Sequence, residues 1–485
     1  MRFRWMVPIG VSLAILSGCS GGGNGTDENG KNEPGIRETG EPQHEKHEKP
    51  MQNQARYGPA KPHYEMKLRY DADKHRISGD MRVQLTNQLN RPLNKIYFNL
   101  WPNADVFGEE GGIEISGVKV NGKTADFNVD KTKLEIAGIS FPEGERATVA
   151  MHFVVHVPEK RDRFGWSDET VSLGNWFPIA AVYDAEGWNL DPYFSGGESF
   201  YSLTSDFDVT LTTGSSQVVA ATGVLTDQAK KDDGTTTYHY KAENVRDFAL
   251  EMNPNYKVKA FDVEDIKVNL YYTDEQARYA ADMEDVARNA LKVYEEKFGE
   301  YPWPELDIVT MKGWFGGMEY PQLVMISFNE AFGKDFIMVS VAHEIAHQWF
   351  YGAVGNNEYD EPWLDESFAT FASLMSLDAL GHLNRVEPPG DPYHLTSPVS
   401  VFAKRGKDGQ HAYANVIYSY GAKTLNELRK KIGDKTFYEA MQTYYEKERL
   451  TISTTAEFVE TMEAVSGEDL TKFFKAHRVY VKETK

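Results

Sequence analysis

The sequence predicts two folded modules in one chain: an antiparallel β-sandwich or large saddle-like sheet over residues 56–263, then an α+β module over 264–485. Three observations predict it. Between Arg56 and Val263 the apolar residues mostly alternate with polar ones, which is the period of half-buried strands. From Asp265 onward the apolar spacing becomes helical over long runs. The third observation is an apolar stretch from Phe336 to Phe350 that nevertheless holds His343, Glu344 and His347, and ionisable groups in a buried helix need partners.

In the first module Tyr64, Met66, Leu68 and Tyr70 form one alternating row. Met81, Val83 and Leu85 form a second, and Val149, Met151, Phe153, Val155 and Val157 a third. Asn121-Gly122, just after Val118 and Val120, signals a tight hairpin because both residues tolerate positive φ. The second module opens with a strand over 268–272, followed by Thr273-Asp274-Glu275-Gln276, a capping-box-like start, and a helix closed by Gly299 after Phe298. Next come a strand over 306–311, a glycine-containing strand region over 316–327, the His343 helix and a helix carrying Glu366, after which the sequence is mostly helical. The segment from Arg385 to Gln410, rich in Pro, Gly and charge, is expected to be a loop passing near the site.

Upstream of these modules the chain reads as an export and tethering device. Arg2 and Arg4 precede an apolar run from Trp5 to Leu16, too short for a mature transmembrane helix and shaped like a secretory signal over residues 1–19. The run ends in Leu16-Ser17-Gly18-Cys19, which resembles a bacterial lipobox, and Cys19 is the single cysteine of 485 residues. An internal disulfide and a thiolate metal ligand are both excluded, so Cys19 is expected to be a lipidated anchor to the extracytoplasmic face of a cell membrane. Residues 20–55 are Gly-, Asn-, Glu-, Lys- and Pro-rich and read as a disordered linker, in which His44-Glu45-Lys46-His47 is a solvated cluster with the wrong spacing for a metal helix. A formal net charge of −21 with no compensating basic block argues against nucleic acid as a partner.

His343-Glu344-Ile345-Ala346-His347 sets two histidines four residues apart, on one face of a helix, where both imidazoles can reach one Zn²⁺. Glu366, in Trp363-Leu364-Asp365-Glu366-Ser367, is the candidate third ligand. The alternative for these groups is a hydrogen-bonded core cluster. Two histidines and a carboxylate leave one position for water, as catalytic rather than structural zinc requires, and Glu344 is placed to take that water's proton.

With Gly316-Gly317-Met318-Glu319-Tyr320 upstream, eighteen residues between His347 and Glu366, and Tyr418 before Gly421, the sequence resembles the aminopeptidase N and leukotriene hydrolase family of gluzincins. The resemblance covers most of residues 60–480 and implies a thermolysin-like catalytic domain after the β domain, without the large helical C-terminal domain of long members. It implies one catalytic Zn²⁺ on His343, His347 and Glu366, with Glu344 as general base. Glu319 would bind the free α-ammonium of a peptide, since two unit charges about 4 Å apart attract by roughly 4 kcal/mol at an effective dielectric near 20. Tyr418 would donate to the oxyanion, with Tyr413 supporting it and Tyr420 packing, and Gly316, Gly317, Met318 and Tyr320 would line the substrate's path. Peptides with a free N-terminus are the implied partners.

The chain departs from the family pattern at Tyr320 and Asp365, where asparagine is usual, and at Ser367, where glycine is usual. None of these removes a ligand or the base. Tyr320 and Trp314 are expected near the first substrate pocket, and Glu198 is one guess for a second amine-binding acid, a structural loop being the other reading. The alternatives on the same scaffold are an endopeptidase, another zinc hydrolase, and a non-catalytic binding lipoprotein.

Overall fold

A computed structural model describes residues 56–329 and 331–481. The expected signal segment, Cys19 and the linker lie outside the described residues. The first module is built on an eight-stranded sheet in the order Val224–Lys230, Thr235–Val245, Ser205–Gly214, Ala60–Asp71, Arg76–Thr86, Arg146–His156, Gly112–Val120, Lys123–Thr124. The three alternating rows supply its buried face: Tyr64, Met66, Val83, Leu85, Val149 and Phe153 are all buried. Against that face pack two four-stranded sheets, joined to it by rings such as Phe153 on Trp176 and by the Ala180 N–H, which donates to the Tyr64 hydroxyl at 2.9 Å. Asn121 and Gly122 both take positive φ in the turn that pairs Val120 with Lys123.

One pairing corrects the purely antiparallel expectation. Ala60–Asp71 and Ser205–Gly214 run parallel, with Tyr64 opposite Phe207. More than a hundred residues separate them, so no hairpin dictates their direction.

The second module carries a five-stranded sheet in the order Lys257–Val263, Ile266–Tyr272, Glu305–Lys312, Leu323–Phe328, Gly317–Met318. Its first strand corrects the expected boundary at 263/264. Lys257–Val263 forms a hairpin with Ile266–Tyr272, so the sheet begins at Lys257, where sequence alternation alone keeps that strand with the β module. The Gln276 side chain accepts the Thr273 N–H at 3.0 Å and starts the helical run that becomes Ala280–Phe298. Gly299, at φ 129°, ends it. The helix Lys334–Ala346 packs on the sheet, the helix Trp363–Ser376 packs on that helix, and further helical segments follow as far as Ala476. The expected loop over 385–410 is also corrected: Val399–Ala403 and the start of Gly406–Tyr413 are helical, each too short to show a clear period among the prolines and glycines.

Candidate active site

Every residue from Phe336 to Ala346 is buried, so the helix sits inside the module and its ionisable groups must be matched there. His343 Nε2 lies 3.0 Å from His347 Nε2 and 3.1 Å from Glu366 Oε2, and His347 Nε2 is 3.5 Å from the same oxygen. A tetrahedral ion with ligands at about 2.0–2.1 Å has edges of about 3.3–3.4 Å, which is the size of this triangle. The donors fit too. His347 Nδ1 faces Asp365 Oδ1 at 2.5 Å, so the outer nitrogen carries the hydrogen and Nε2 keeps its lone pair for a metal. Asp365 thus supplies a carboxylate acceptor for the orienting bond. His343, His347 and Glu366 are the residues that would hold Zn²⁺.

Burial alone would raise the Glu366 carboxyl, but hydrogen bonds from His343 and His347 outweigh it and hold the group well below the usual carboxylate range. Glu344 goes the other way. Burial pushes its carboxyl well above that range, with His347 opposing and Glu366 adding to the rise. Its stem lies on the strand edge at Gly317, where a Cβ would come within 2.5 Å of Glu344 Cγ. That close approach is the physical reason for glycine there.

Tyr418 donates its hydroxyl to Glu366 Oε1, and its ring lies nearly parallel to that of His343 with centroids 5.8 Å apart. It sits in a π-helical stretch, Ala414–Tyr420, between the helices Gly406–Tyr413 and Gly421–Ile432. In an α-helix residues five apart point about 140° away from each other, whereas i→i+5 bonding brings them to one face. Tyr413 and Tyr418 accordingly share a wall, with ring centroids 6.0 Å apart. Tyr413 stands behind the cavity against Gly197 rather than on its lining.

The same wall explains Ser367. Its hydroxyl donates to the Ile417 carbonyl at 2.5 Å, and a Cβ on Gly421 would sit 1.8 Å from Ser367 Oγ. Gly421→Ala alone is expected to destabilise the chain by about 1–3 kcal/mol. Ser367→Gly should recover most of that loss, and a double-mutant cycle read by urea denaturation checks it, since additive effects would refute the contact.

Glu319 follows directly on the edge strand Gly317–Met318. Gln348, one residue past the second histidine, donates to the Glu319 and Tyr320 carbonyls at 3.3 and 3.1 Å and so ties this turn to the metal helix. Glu319 lines the cavity with Gly316, Gly317, Glu344 and the three metal-site residues. The β module closes the opposite side with Arg163, Tyr193 and Glu198. Burial, reinforced by the neighbouring Glu198, pushes the Glu319 carboxyl well above its usual range, and its Oε1 has no hydrogen-bond partner among the described residues. Glu198 accepts from Arg163 Nη1 at 2.5 Å through Oε1, while its Oε2 is likewise buried and unpartnered.

Three expectations are corrected here. Met318 is buried on the face of its strand that looks into the core, because alternation turns it away from the side where Glu344 meets Gly317. Tyr320 does not shape a pocket: it is fully buried and donates to Asn175 Oδ1 at 2.8 Å, with its hydroxyl filling the space over Gly174, so it bolts one module to the other. Trp314 is 48% exposed and off the cavity lining. Sequence reasoning missed Arg163 and Glu358. The first lies in a stretch without a motif, and the second sits amid other acids between the two helices, with only its burial to single it out.

The model of the family "Peptidase family M1 domain" matches residues 282–477. Among curated proteins, the chain is 26% identical to Aminopeptidase 2 of Candida albicans over 254 residues, which is 47% of this chain and 26% of that protein. It is 29% identical to Probable aminopeptidase 1 of Saccharolobus solfataricus over 183 residues, 33% of this chain and 23% of that protein. These matches span about a quarter of the relatives' own length. Among solved structures, the M1 zinc metallopeptidase from Deinococcus radiodurans superposes with a TM-score of 0.65 at 19% identity, covering 87% of this chain and 94% of that one. Legionella pneumophila aminopeptidase A in complex with aspartic acid gives 0.66 at 15% identity, over 87% of this chain and 49% of that one. At such identities the likeness establishes the fold. The family match covers the helices that carry the ligand triangle, so residues 282–477 are similar to the catalytic domain of the M1 peptidases, a gluzincin aminopeptidase family of zinc metallopeptidases.

Proposed function

We propose that the chain is a zinc aminopeptidase that removes N-terminal residues from peptides, held by a lipid on Cys19 at the extracytoplasmic face of a membrane. The observation that carries the catalytic part is the meeting of two buried acids, Glu319 from the catalytic module and Glu198 from the β module, each with an unpartnered oxygen, in the cavity that holds the metal triangle. Buried carboxylate oxygens without partners call for a cation, and a peptide's α-ammonium supplies one at its first residue only.

Zn²⁺, when bound to His343, His347 and Glu366, supplies Lewis acidity toward the scissile carbonyl and makes water nucleophilic near neutral pH. Glu344 takes the proton of the attacking water and returns it to the leaving amine. Tyr418, whose hydroxyl is engaged with Glu366 here, turns that donor to the oxygen on which negative charge develops. Gly316 and Gly317 present a backbone edge along which the peptide lies.

The test compares one peptide with a free and with an acetylated N-terminus. Single-residue release from the free form only, with the preference lost in Glu319→Gln, is expected; equal cleavage of both forms would make the chain an endopeptidase. The anchor is tested apart, by whether Cys19→Ser moves the protein from the membrane to the soluble fraction.

A further inference from the structure

Glu358 takes no part in the chemistry above, yet it is 1% exposed in the connection between the two metal helices. Its Oε2 accepts the backbone N–H of Phe200 at 3.1 Å, and its Oε1 has no hydrogen-bond partner among the described residues. Phe200 lies two residues past Glu198, in a stretch from 189 to 204 without helix or strand. Without a ladder, such a stretch is held by scattered contacts, among them the Phe194 N–H on Ser199 Oγ at 3.0 Å and Arg246 on the Ser202 carbonyl at 2.9 Å. Glu198 is fixed laterally by Arg163, which belongs to the same β module. The bond from Glu358 comes instead from the catalytic module. One oxygen each of Glu198, Glu319, Glu358 and Asp365 lies within 4.8 Å of the other three, and Asp365 is already committed to His347.

We infer that Glu358 is a positioning residue that braces the Glu198 segment through the Phe200 N–H, and so sets the separation of the Glu198–Glu319 pair that grips a free α-ammonium. This rests on the aminopeptidase reading. The role needs an acceptor at the Glu358 position and not its charge, because a backbone N–H is satisfied by an amide oxygen as well as by a carboxylate.

The experiment measures the zinc-loaded enzyme against two inhibitors, leucine hydroxamate and its des-amino analogue. Both chelate the metal, and only the first carries an ammonium, so the ratio of their inhibition constants reads the amine site alone. Glu358→Leu is expected to lower that preference about tenfold, the scale of one buried hydrogen bond to a charged group, while Glu358→Gln restores it to within about threefold. A purely structural loss would weaken both inhibitors equally and leave the ratio unchanged, which overturns the inference. So does a glutamine variant as impaired as leucine, because charge would then be the requirement. A second equivalent of metal per chain that Glu358→Leu removes would also overturn it, by assigning the cluster to a cation. If the leucine variant fails to fold, Glu358→Thr, too short to reach Phe200, takes its place. A wild-type enzyme with no amine preference would refute the aminopeptidase reading itself; a wild-type preference that survives Glu358→Leu refutes only the brace.

Discussion

Glu344→Gln is expected to cut turnover of a free-amine peptide by about 10³-fold to 10⁴-fold while the chain still binds one zinc. The two halves of that result come from the geometry. His343, His347 and Glu366 close the ligand triangle without Glu344, so metal content should not change. Glutamine keeps the volume that fits against Gly317 but cannot accept the proton that water must lose. Turnover assays paired with metal analysis check both halves, and a Glu344→Gln enzyme that is zinc-loaded and still active would remove Glu344 from the base's role. Gly317→Ala offers a matched control. Its new Cβ would sit 2.5 Å from Glu344 Cγ, so it should lower the rate by displacing a base that is chemically intact.

The largest effect on stability is expected from Arg246→Ala, at about 3–5 kcal/mol. Arg246 is buried at the end of a β-module strand, and burial pushes its guanidinium down to about 10, still charged at neutral pH. It donates to the Tyr351 carbonyl at 2.6 Å, to Ser202 at 2.9 Å, to Ala353 at 3.2 Å and to Thr451. Those acceptors come from the β module, from the turn after the metal helix and from the C-terminal helical part. Alanine removes a donor from all four carbonyls; those of Ala353 and Thr451 keep the N–H groups of Leu450 and Gly355, while those of Tyr351 and Ser202 are left unsatisfied in the interior, where each such group is costly. Lysine cannot restore them, because three donors on one nitrogen do not match the planar fork. Gly355 belongs to the same arrangement, since a Cβ there would lie 2.0 Å from the Arg246 Cζ. Urea denaturation followed by tryptophan fluorescence measures the loss, and an unchanged midpoint would show that the clasp is not required.

The metal site was legible because its determinants are local. Two ligands four apart on one helix, and a third on the next, declare themselves by spacing, and Asp365 comes with its neighbour Glu366. The β module showed in its alternating rows for the same reason. What stayed hidden was brought in by tertiary packing. Arg163 and Glu358 lie in irregular stretches, where no period says which way a side chain points, and Glu198, offered from sequence only beside a structural-loop reading, lies in another. Two of the three misjudged pocket residues, Met318 and Tyr320, flank Glu319 where a strand of two residues ends, too short for its faces to be assigned from sequence. The strand Lys257–Val263 alternates like those before it, and only its hairpin partner reveals which sheet owns it.

The π-helical stretch has a consequence for how the chain tolerates change in length. Helix runs without a break from Gly406 to Ile432, with the wider turns confined to Ala414–Tyr420. Wider turns hold more residues per revolution, so the stretch amounts to an insertion absorbed without opening a loop. Deleting one residue between Tyr413 and Tyr418 would let the rod close as ordinary α-helix with the two tyrosines four apart, which still sets them on one face. The same loss in the ordinary α-helical part of the rod, where no surplus residue exists, would turn everything across it by about 100°. A single-codon loss is thus tolerable within the wide turns and damaging outside them.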